Sequence, residues 1–255
     1  MKRILMKRLN RHHRHTLRQL WDDTRARFVR SDLSRLAALY RTDKFGHGYM
    51  PIYERHFRHL RRKKITILEI GIGGYGAPWA GGASLRMWAA YFFRGRVIGL
   101  DIADKSPHAK RRVAVFQGEQ GDAEVLGQII EAAGDLDIIV DDGSHFCSDV
   151  ITSFDVLFPH LKPGGLYVIE DTQTSYWSSC GGSMKPDAAT TMNHFKALAD
   201  GLNHAEYPIA DYRPSYTDLN ILSIHFYHNL IVVEKGPNTR PSNVAVKDRM
   251  AAGEG

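Results

Sequence analysis

The sequence has 255 residues, a hydrophobic fraction of 43% and a formal net charge of +6. This length accommodates one substantial α/β domain with additions, and the hydrophobic fraction can supply its core. The two cysteines, Cys147 and Cys180, imply no disulfide framework and favour a reducing cytoplasm. No apolar run approaches the roughly 18 residues of a membrane span, and no secretory segment follows the basic N-terminus, so we expect a cytoplasmic protein without a membrane span.

The positive charge is concentrated near the N-terminus. Residues 1–30 hold ten Lys and Arg against two Asp. Apolar side chains recur there at near-helical spacing, at Leu5, Leu9, Leu17, Leu20, Trp21 and Phe28. The pattern predicts an amphipathic helix in a basic arm over residues 1–37, docked on its own core or on a neighbouring subunit of a homo-oligomer, or bound to an anionic surface. The basic residues form no obvious track in the sequence, so we expect no nucleic-acid partner.

Strands and helices alternate in the middle of the chain. Strands are predicted within 64–74, 96–102, 112–122, 136–142 and 164–171, and helices at 84–93, 123–134 and 148–161. This spacing is typical of right-handed βαβ units and predicts an α/β fold with a doubly wound, mostly parallel sheet. Residues 222–236 leave no room for a crossover helix and predict a C-terminal antiparallel hairpin. We expect one domain over 38–236 and a polar tail over 237–255.

Glycines and an acidic residue follow the first two predicted strands, where an open parallel sheet binds ligands. Gly71, Gly73 and Gly76 match the dinucleotide fingerprint, with Asp101 placed for a ribose diol. However, Pro78 and the glycines after it delay the next helix to about Ser84, so a diphosphate would lack the helix N-terminus that normally binds it. The loop therefore suits a nucleoside ligand without phosphate, such as S-adenosylmethionine (SAM).

Five motifs together carry a family resemblance. They are, in chain order, "LEIGIGG", "GLDI", "QGEQGD", "VDDGSH" and "GGLYVIEDT". The sequence resembles the class I SAM-dependent methyltransferases over residues 38–236. Within them it is most similar to the metal-dependent macrolide sugar O-methyltransferases of the mycinamicin and tylosin type, and to enzymes that methylate mycobacterial methylmannose polysaccharide or glycolipids. The resemblance implies a Rossmann-like class I methyltransferase fold.

Carboxylates at the ends of the fourth and fifth strands are candidate metal ligands. Neighbouring strands lie about 4.8 Å apart, so Asp142, Glu170 and Asp171 can converge on one cation. Their hard oxygen ligands suit Mg²⁺ or Mn²⁺. Alternatively, Asp142 caps the next helix and the other two carboxylates face solvent. The resemblance implies that His145 is the general base, although a histidine at this position can also be a cap or a surface residue.

The same edge of the sheet predicts the cofactor contacts. We expect Asp101 to accept hydrogen bonds from the ribose, Gln120 or Asp122 to lie near adenine, and Asp141 to face the methionine amino group. The resemblance places residues of the upstream segment 39–54, with His47 and Tyr53, near the methionine end or the acceptor, unless the segment is a surface loop. The predicted cofactor-binding residues are Thr42, Lys44, Tyr49, Glu69, Gly71, Gly73, Asp101, Gln120, Asp122 and Asp141.

A long polar loop over 172–187 follows the carboxylates and is the predicted acceptor site. Tyr176 and Trp177 are expected to stack on a sugar ring, unless both pack beneath the loop. The predicted function is metal-dependent transfer of a methyl group from SAM to a sugar hydroxyl of a glycoside, oligosaccharide or glycosylated natural product, including polysaccharide biosynthesis. The alternatives are a catechol-type or other small-molecule O-methyltransferase, or a cofactor-binding protein without catalysis, against which the intact set of site residues argues.

Overall fold

The computed structural model describes residues 11–209 and 211–244, with side chains described from residue 17 onward. The predictions for Leu5, Leu9 and the last part of the tail lie outside the described residues. The chain builds one sheet of seven strands in the order β3-β2-β1-β4-β5-β7-β6. The strands are β1 (Thr66–Ile70), β2 (Arg96–Asp101), β3 (Val113–Gln117), β4 (Leu136–Asp141), β5 (Leu161–Glu170), β6 (Ile221–Tyr227) and β7 (Leu230–Lys235).

Strands β1 to β5 are parallel to one another, and β7 pairs antiparallel with both β5 and β6. This architecture confirms the predicted doubly wound sheet with its C-terminal antiparallel hairpin. In the register of β4 and β5, Asp141 pairs with Ile169. The next residues along the two strands, Asp142 and Glu170, therefore lie side by side at the same edge of the sheet.

Helices cover both faces of the sheet. They are α1 (Arg11–Val29), α2 (Leu33–Tyr40), α3 (Met50–Phe57), α4 (Ala83–Tyr91), α5 (Ala123–Ala133), α6 (Cys147–Leu157), α7 (Thr191–Gly201) and α8 (Tyr216–Asn220). Because side chains alternate along a strand, Ile138 packs in one core with α2, α3 and α4, whereas Ile139 packs in the other with α5, α6 and α7. The two cores fix the sheet, whose carboxyl edge carries the polar residues.

The predicted element boundaries shift where prolines and glycines act. Helix α4 begins at Ala83, one residue before the predicted start, after the glycine-rich loop. The predicted helix over 148–161 instead ends at Leu157, and Phe158–His160 forms a 3-10 turn around Pro159. Proline cannot donate the backbone hydrogen bond that would continue the helix. Strand β5 then begins at Leu161, earlier than predicted.

Helix α1 packs on its own chain through polar contacts. Its Asp22 is 2% exposed and accepts a hydrogen bond from Arg41 at 3.1 Å, and Asp23 accepts one from Arg86 at 2.9 Å. The leucines and aromatics expected to dock this helix are instead exposed, with Phe28 at 85%. For the described residues, the alternative in which these side chains dock on the chain's own core is therefore wrong, because Asp22, Asp23 and Ala26 make those contacts. Docking on a neighbouring subunit or on an anionic surface stays a prediction.

Two features bear on the expectations drawn from composition. Cys147 and Cys180 are both free thiols, the first buried and the second partly so. Among the helices that the structure describes, none has the length and apolar character needed to cross a membrane.

A half-buried histidine on α3 makes the stability of the fold depend on pH. His56 Nε2 lies 2.9 Å from Tyr227 Oη of β6, and its ring lies 4.9 Å from that of His225. Burial, together with the neighbouring His225 and Arg55, lowers the pKa of His56 to about 4. The folded chain therefore binds fewer protons than the unfolded chain between this value and the ordinary 6.5.

We predict that His56 contributes stability above pH 6.5 that is lost as the pH falls toward 4. Urea unfolding of the wild type and of His56→Gln across this range measures the effect. The free energy of unfolding should fall less steeply in the variant, because glutamine does not titrate. Equal slopes in the two proteins would contradict the assignment.

Candidate active site

A buried lysine lies among the carboxylates at the edge of the sheet. Lys44, in the 3-10 turn Asp43–Phe45, is 1% exposed. Its Nζ lies 2.5 Å from Asp142 Oδ2 and 2.8 Å from Glu170 Oε1. The same ammonium lies 3.3 Å from Glu69 Oε1, at the end of β1. One cation therefore contacts carboxylates from three adjacent strands.

Electrostatics keep this lysine charged. Burial lowers its pKa, but Asp142, Glu170 and Glu69 outweigh burial and raise the pKa of Lys44 well above its ordinary value. Burial, followed by the charge of Asp142, raises the pKa of Glu170, and burial also raises that of Glu69. The carboxylates thus favour the ammonium form of Lys44, whose charge offsets part of their cost of burial.

Glu170 faces the interior. Tyr53 Oη donates a hydrogen bond to its Oε1, the oxygen that also contacts Lys44. Its other oxygen, Oε2, is buried and has no hydrogen-bond partner within the described part of the chain. A buried carboxylate oxygen without a partner is costly. Of the three predicted metal ligands, Asp142 and Asp171 converge with His145, and Glu170 is not part of that cluster.

Two carboxylates and an imidazole form a candidate metal site next to Lys44. Asp142, His145 and Asp171 each offer a ligand atom, and these atoms all lie within 4.8 Å of one another. His145 Nε2 lies 3.8 Å from Asp142 Oδ1 and 3.9 Å from Asp171 Oδ2. Tyr49 Oη orients Asp171 by donating to its Oδ1 at 2.6 Å. The oxygen donors suit a hard divalent cation such as Mg²⁺ or Mn²⁺.

The backbone at this site is strained. His145 and Asp171 have φ values of 59° and 52°, in the left-handed region that non-glycine residues seldom adopt. Each such residue costs on the order of 1–3 kcal/mol, and such strain clusters at functional sites. The two residues lie in the loops that follow β4 and β5, where they bring the side chains of the candidate metal site together.

A cleft of about 250 Å³ lies beside the metal site. Three of the predicted cofactor-binding residues line it, namely Gly71, Asp101 and Gln120. Gly71 has a φ of 88°, and a Cβ there would lie 1.9 Å from the carbonyl oxygen of Asp142, so only glycine fits. Asp101 accepts backbone hydrogen bonds from Ile72 at 2.8 Å and from Ala103 at 2.9 Å, which fix its carboxylate at the mouth of the glycine loop.

Other predicted cofactor residues lie elsewhere. Asp141 is buried, and its carboxylate accepts hydrogen bonds from Gln120 and from Ser153 at 2.7 and 2.8 Å. Burial raises its pKa to about 6, against the opposing effect of those hydrogen bonds. Asp122 is exposed and caps α5, accepting from the backbone of Glu124 at 2.8 Å. Asp141 is buried in the core and not in the cleft. Of the two alternatives for the adenine contact, Gln120 lines the cleft, whereas Asp122 lies at the start of a helix.

The remaining predicted residues support the carboxylates. Thr42 is buried and its hydroxyl donates to Asp43 at 3.3 Å, which places it at the base of the Lys44 turn. Glu69 accepts a hydrogen bond from Trp88 Nε1 at 3.1 Å and is fully buried. Gly73 has a φ of 75° in the glycine loop. These residues lie next to the carboxylates at the edge of the sheet.

Ser144 and Phe146 are among the residues that line the cleft and that sequence reasoning missed. The backbone N–H of Ser144 donates to Gln120 Oε1 at 2.8 Å, and Phe146 is 48% exposed in the same lining. Both belong to the quoted "VDDGSH" region or follow it directly. The signal available in the sequence was the large aromatic residue that directly follows the acidic motif.

The loop after β5 displays two aromatic side chains. It forms the 3-10 turns Thr172–Tyr176 and Ser178–Cys180. Tyr176 is 46% exposed and Trp177 is 51% exposed. Their exposure contradicts the alternative in which both pack beneath the loop.

We predict that Lys44→Met lowers the free energy of unfolding by about 3 kcal/mol at pH 7, because it leaves buried carboxylates without their cation. Urea unfolding measures the change. Lys162→Met is the control: Lys162 also pairs with an aspartate, Asp137, at 3.0 Å, but its side chain is 39% exposed. The control should lose less than about 1 kcal/mol. Similar losses in both variants would contradict the role of Lys44.

No protein-family model matches the sequence. Mycinamicin VI 2''-O-methyltransferase of Micromonospora griseorubida is 49% identical over 212 residues, covering 81% of this chain and 53% of that protein. The 8-demethyl-8-alpha-L-rhamnosyl tetracenomycin-C 2'-O-methyltransferase of Streptomyces olivaceus is 49% identical over 209 residues, covering 81% and 55%. The chain thus spans about half the length of the curated relatives it matches.

A solved structure shows the same relationship in three dimensions. The MycE methyltransferase of the mycinamycin biosynthetic pathway, in complex with Mg and SAH, superposes with a TM-score of 0.80 at 44% identity. The match covers 88% of this chain and 60% of that one. Over the part of their length that it covers, the chain therefore resembles the sugar O-methyltransferases of the mycinamicin type in both sequence and fold.

Proposed function

We propose that the chain catalyses metal-dependent transfer of a methyl group from SAM to a sugar hydroxyl. The observation that carries this proposal is the cluster of Asp142, His145 and Asp171 beside the cleft lined by Gly71 and Asp101. The names of its relatives support it: one acts on mycinamicin VI and another on a rhamnosyl tetracenomycin. MycE was solved with Mg and SAH.

Asp142 and Asp171 would hold the cation, with Glu170 as the third carboxylate. The buried, unpartnered Oε2 of Glu170 supports its inclusion, because ligation would satisfy this atom. A bound divalent cation lowers the pKa of a hydroxyl that coordinates it. Lys44 contacts Asp142 and Glu170, and Tyr49 donates to Asp171, so these residues would hold the carboxylates in place for a cation. We therefore assign Lys44 and Tyr49 to positioning these carboxylates, next to the methionine end of the donor.

His145 would accept the proton of the acceptor hydroxyl. Its Nε2 is between the two aspartates and its side chain is 27% exposed, so a substrate oxygen can reach it. As the hydroxyl oxygen forms its bond to the methyl carbon, the bond from that carbon to the donor sulfur breaks, and the proton passes to Nε2.

The cleft would bind the nucleoside end of SAM. Asp101 at the end of β2 provides acceptors for the ribose hydroxyls, and Gly71 lets the backbone approach the ligand. Gln120 and Phe146 line the far side and suit the adenine ring. Because Asp141 is held in the core by Gln120 and Ser153, its part in the proposal is to fix Gln120 and not to contact the donor.

The acceptor would lie against the loop after β5. Tyr176 and Trp177 are exposed and offer flat apolar surfaces on which a sugar ring can stack. The acceptor class is a glycoside, an oligosaccharide or a glycosylated natural product, and a role in polysaccharide biosynthesis is part of the same proposal. A cytoplasmic location and a homo-oligomeric state remain predictions from sequence.

The first test of this proposal removes the metal. Transfer from labelled SAM to a panel of rhamnosides and other glycosides should stop in excess EDTA and resume with Mg²⁺. Asp171→Asn should weaken Mn²⁺ binding at least tenfold, because a charged ligand is lost. The control Asp122→Asn alters an exposed helix cap outside the cleft and should preserve both activity and affinity. Full transfer in excess chelator would rule out the metal.

A second test separates the general base from a metal ligand. If His145 is the base, His145→Ala should lower turnover by roughly 10² to 10⁴-fold while Mn²⁺ affinity stays within twofold. Turnover and Mn²⁺ titration on the same folded preparation give both readouts. Loss of Mn²⁺ affinity would instead make His145 a ligand, and turnover near that of the wild type would remove it from the mechanism.

A further inference from the structure

A second cavity, here called the arginine cleft, lies away from the carboxylates. It has a volume of about 640 Å³ and lies between α1, α4 and the start of β3. This size falls within the range of ligand pockets, roughly 300–1,000 Å³. Its cationic lining residues are Arg27, Arg30, Arg86, Lys110, Arg111 and Arg112. None of the residues of the candidate active site lines it.

The floor of the arginine cleft is apolar. Leu85, Ala89 and Ala90 of α4 form it, with Val113 of β3 and Phe93 at the side. Small and aliphatic side chains at the base of a cavity with charged walls favour a ligand that has both an apolar body and a polar head.

Part of the positive charge already has partners. Asp23, a carboxylate that lines the cleft, accepts from Arg86 at 2.9 Å and lies 3.4 Å from Lys110. The charges of these two residues outweigh burial and lower the pKa of Asp23, so it is ionised. Arg112 is bonded to backbone carbonyl oxygens, including that of Gly95 at 2.6 Å. The contacts of Arg86, Lys110 and Arg112 are therefore made within the fold.

Three arginines at the rim are not neutralised. Arg27, Arg30 and Arg111 make no ion pair with a carboxylate in the described ranges, 17–209 and 211–244. Arg30 stacks over the Phe93 ring, with its guanidinium carbon 4.2 Å from the ring centroid. A stacked guanidinium keeps its edge free to donate paired hydrogen bonds, which is the geometry that phosphate oxygens match.

The positive surface continues beyond the cleft. A neighbouring depression of about 430 Å³ shares Arg27, Arg30 and Phe93 with it and adds Arg61 and Arg62. The sequence shows no such cluster, because its members come from the end of α1, the segment after α3 and the approach to β3. The basic residues therefore converge only in the folded chain.

We propose that the arginine cleft binds a phosphate ester of an apolar alcohol. The phosphate would contact Arg27, Arg30 and Arg111 at the rim, and the apolar body would lie on Ala89, Ala90 and Phe93. Phosphate satisfies both features of the site, because it matches the guanidinium donors and neutralises their charge.

The terminal segments of this chain do not provide that chemistry. Residues 1–10 contain Lys and Arg but neither Asp nor Glu. In residues 245–255, Lys247 and Arg249 balance Asp248 and Glu254. A separate anionic ligand complements the charge of the cleft, whereas these segments do not.

Calorimetric titration with dodecyl phosphate below its micelle concentration tests the proposal. Three control ligands separate the two features. Inorganic phosphate has the charged head without the alkyl chain, dodecyl maltoside has the alkyl chain with an uncharged head, and uridine diphosphate has phosphate on a polar nucleoside. Dodecyl phosphate should bind at least tenfold more tightly than each of the other three. Its affinity should fall as salt is raised, because the rim arginines are exposed.

Charge reversal then locates the site. Arg27→Glu/Arg30→Glu should weaken dodecyl phosphate binding at least tenfold while the melting temperature falls by no more than about 4 °C, the loss expected when Arg30 no longer stacks on Phe93. The control Lys196→Glu/Arg213→Glu makes the same change of charge at exposed residues outside the cleft and should bind within twofold of the wild type. Ala90→Phe, which fills the floor, should weaken the alkyl ligand while leaving the affinity for inorganic phosphate unchanged.

Three outcomes would overturn the proposal. Inorganic phosphate or uridine diphosphate binding as tightly as dodecyl phosphate would remove the need for an apolar body. Dodecyl maltoside binding as tightly would remove the need for the phosphate. Equal losses in the charge-reversed variant and its control would show that binding follows the overall charge and not this cleft.

Discussion

The contact on which the candidate site depends is the buried ammonium of Lys44 among the carboxylates of three strands. Without it, Glu69, Asp142 and Glu170 would place negative charges next to one another in a poorly solvated space. Such charges would repel and would be costly to bury. The charge of Lys44 lets these carboxylates remain together, and Tyr53 donates a hydrogen bond to Glu170. The edge of the sheet is thereby ready to receive a second cation on its exposed side.

The sheet determines which groups meet at that edge. Parallel pairing of β1, β4 and β5 ends all three strands on the same side, and the register of β4 against β5 places Asp142 beside Glu170. Alternation along β4 sends Asp141 to the opposite face, where it bonds Gln120 and Ser153. Adjacent aspartates thus have separate positions: Asp141 lies in the core under the cleft, and Asp142 belongs to the proposed metal site.

The sequence predicts those parts that follow from local periodicity. Alternating strands and helices predict the sheet, and carboxylates at the strand ends predict a polar edge that holds Asp142 and Asp171. The counter-ion could not be found this way, because Lys44 precedes Asp142 by 98 positions and nothing in the spacing pairs them. The contact of α1 with its own chain was also missed, since Asp22 is buried against Arg41 while Phe28 stays exposed in the single chain. The burial of a charged side chain such as Lys44 or Asp22 depends on a partner that is distant in the sequence, so the local residue pattern does not reveal it.

The central claim is that the carboxylates after β4 and β5 hold a divalent cation within reach of the methyl donor. Anomalous diffraction from crystals grown with Mn²⁺ and S-adenosylhomocysteine tests it directly. The account predicts one strong peak about 2.0–2.3 Å from carboxylate oxygens of Asp142 and Asp171, with the homocysteine sulfur facing it. A cleft filled with ligand but without a peak between these carboxylates would contradict it.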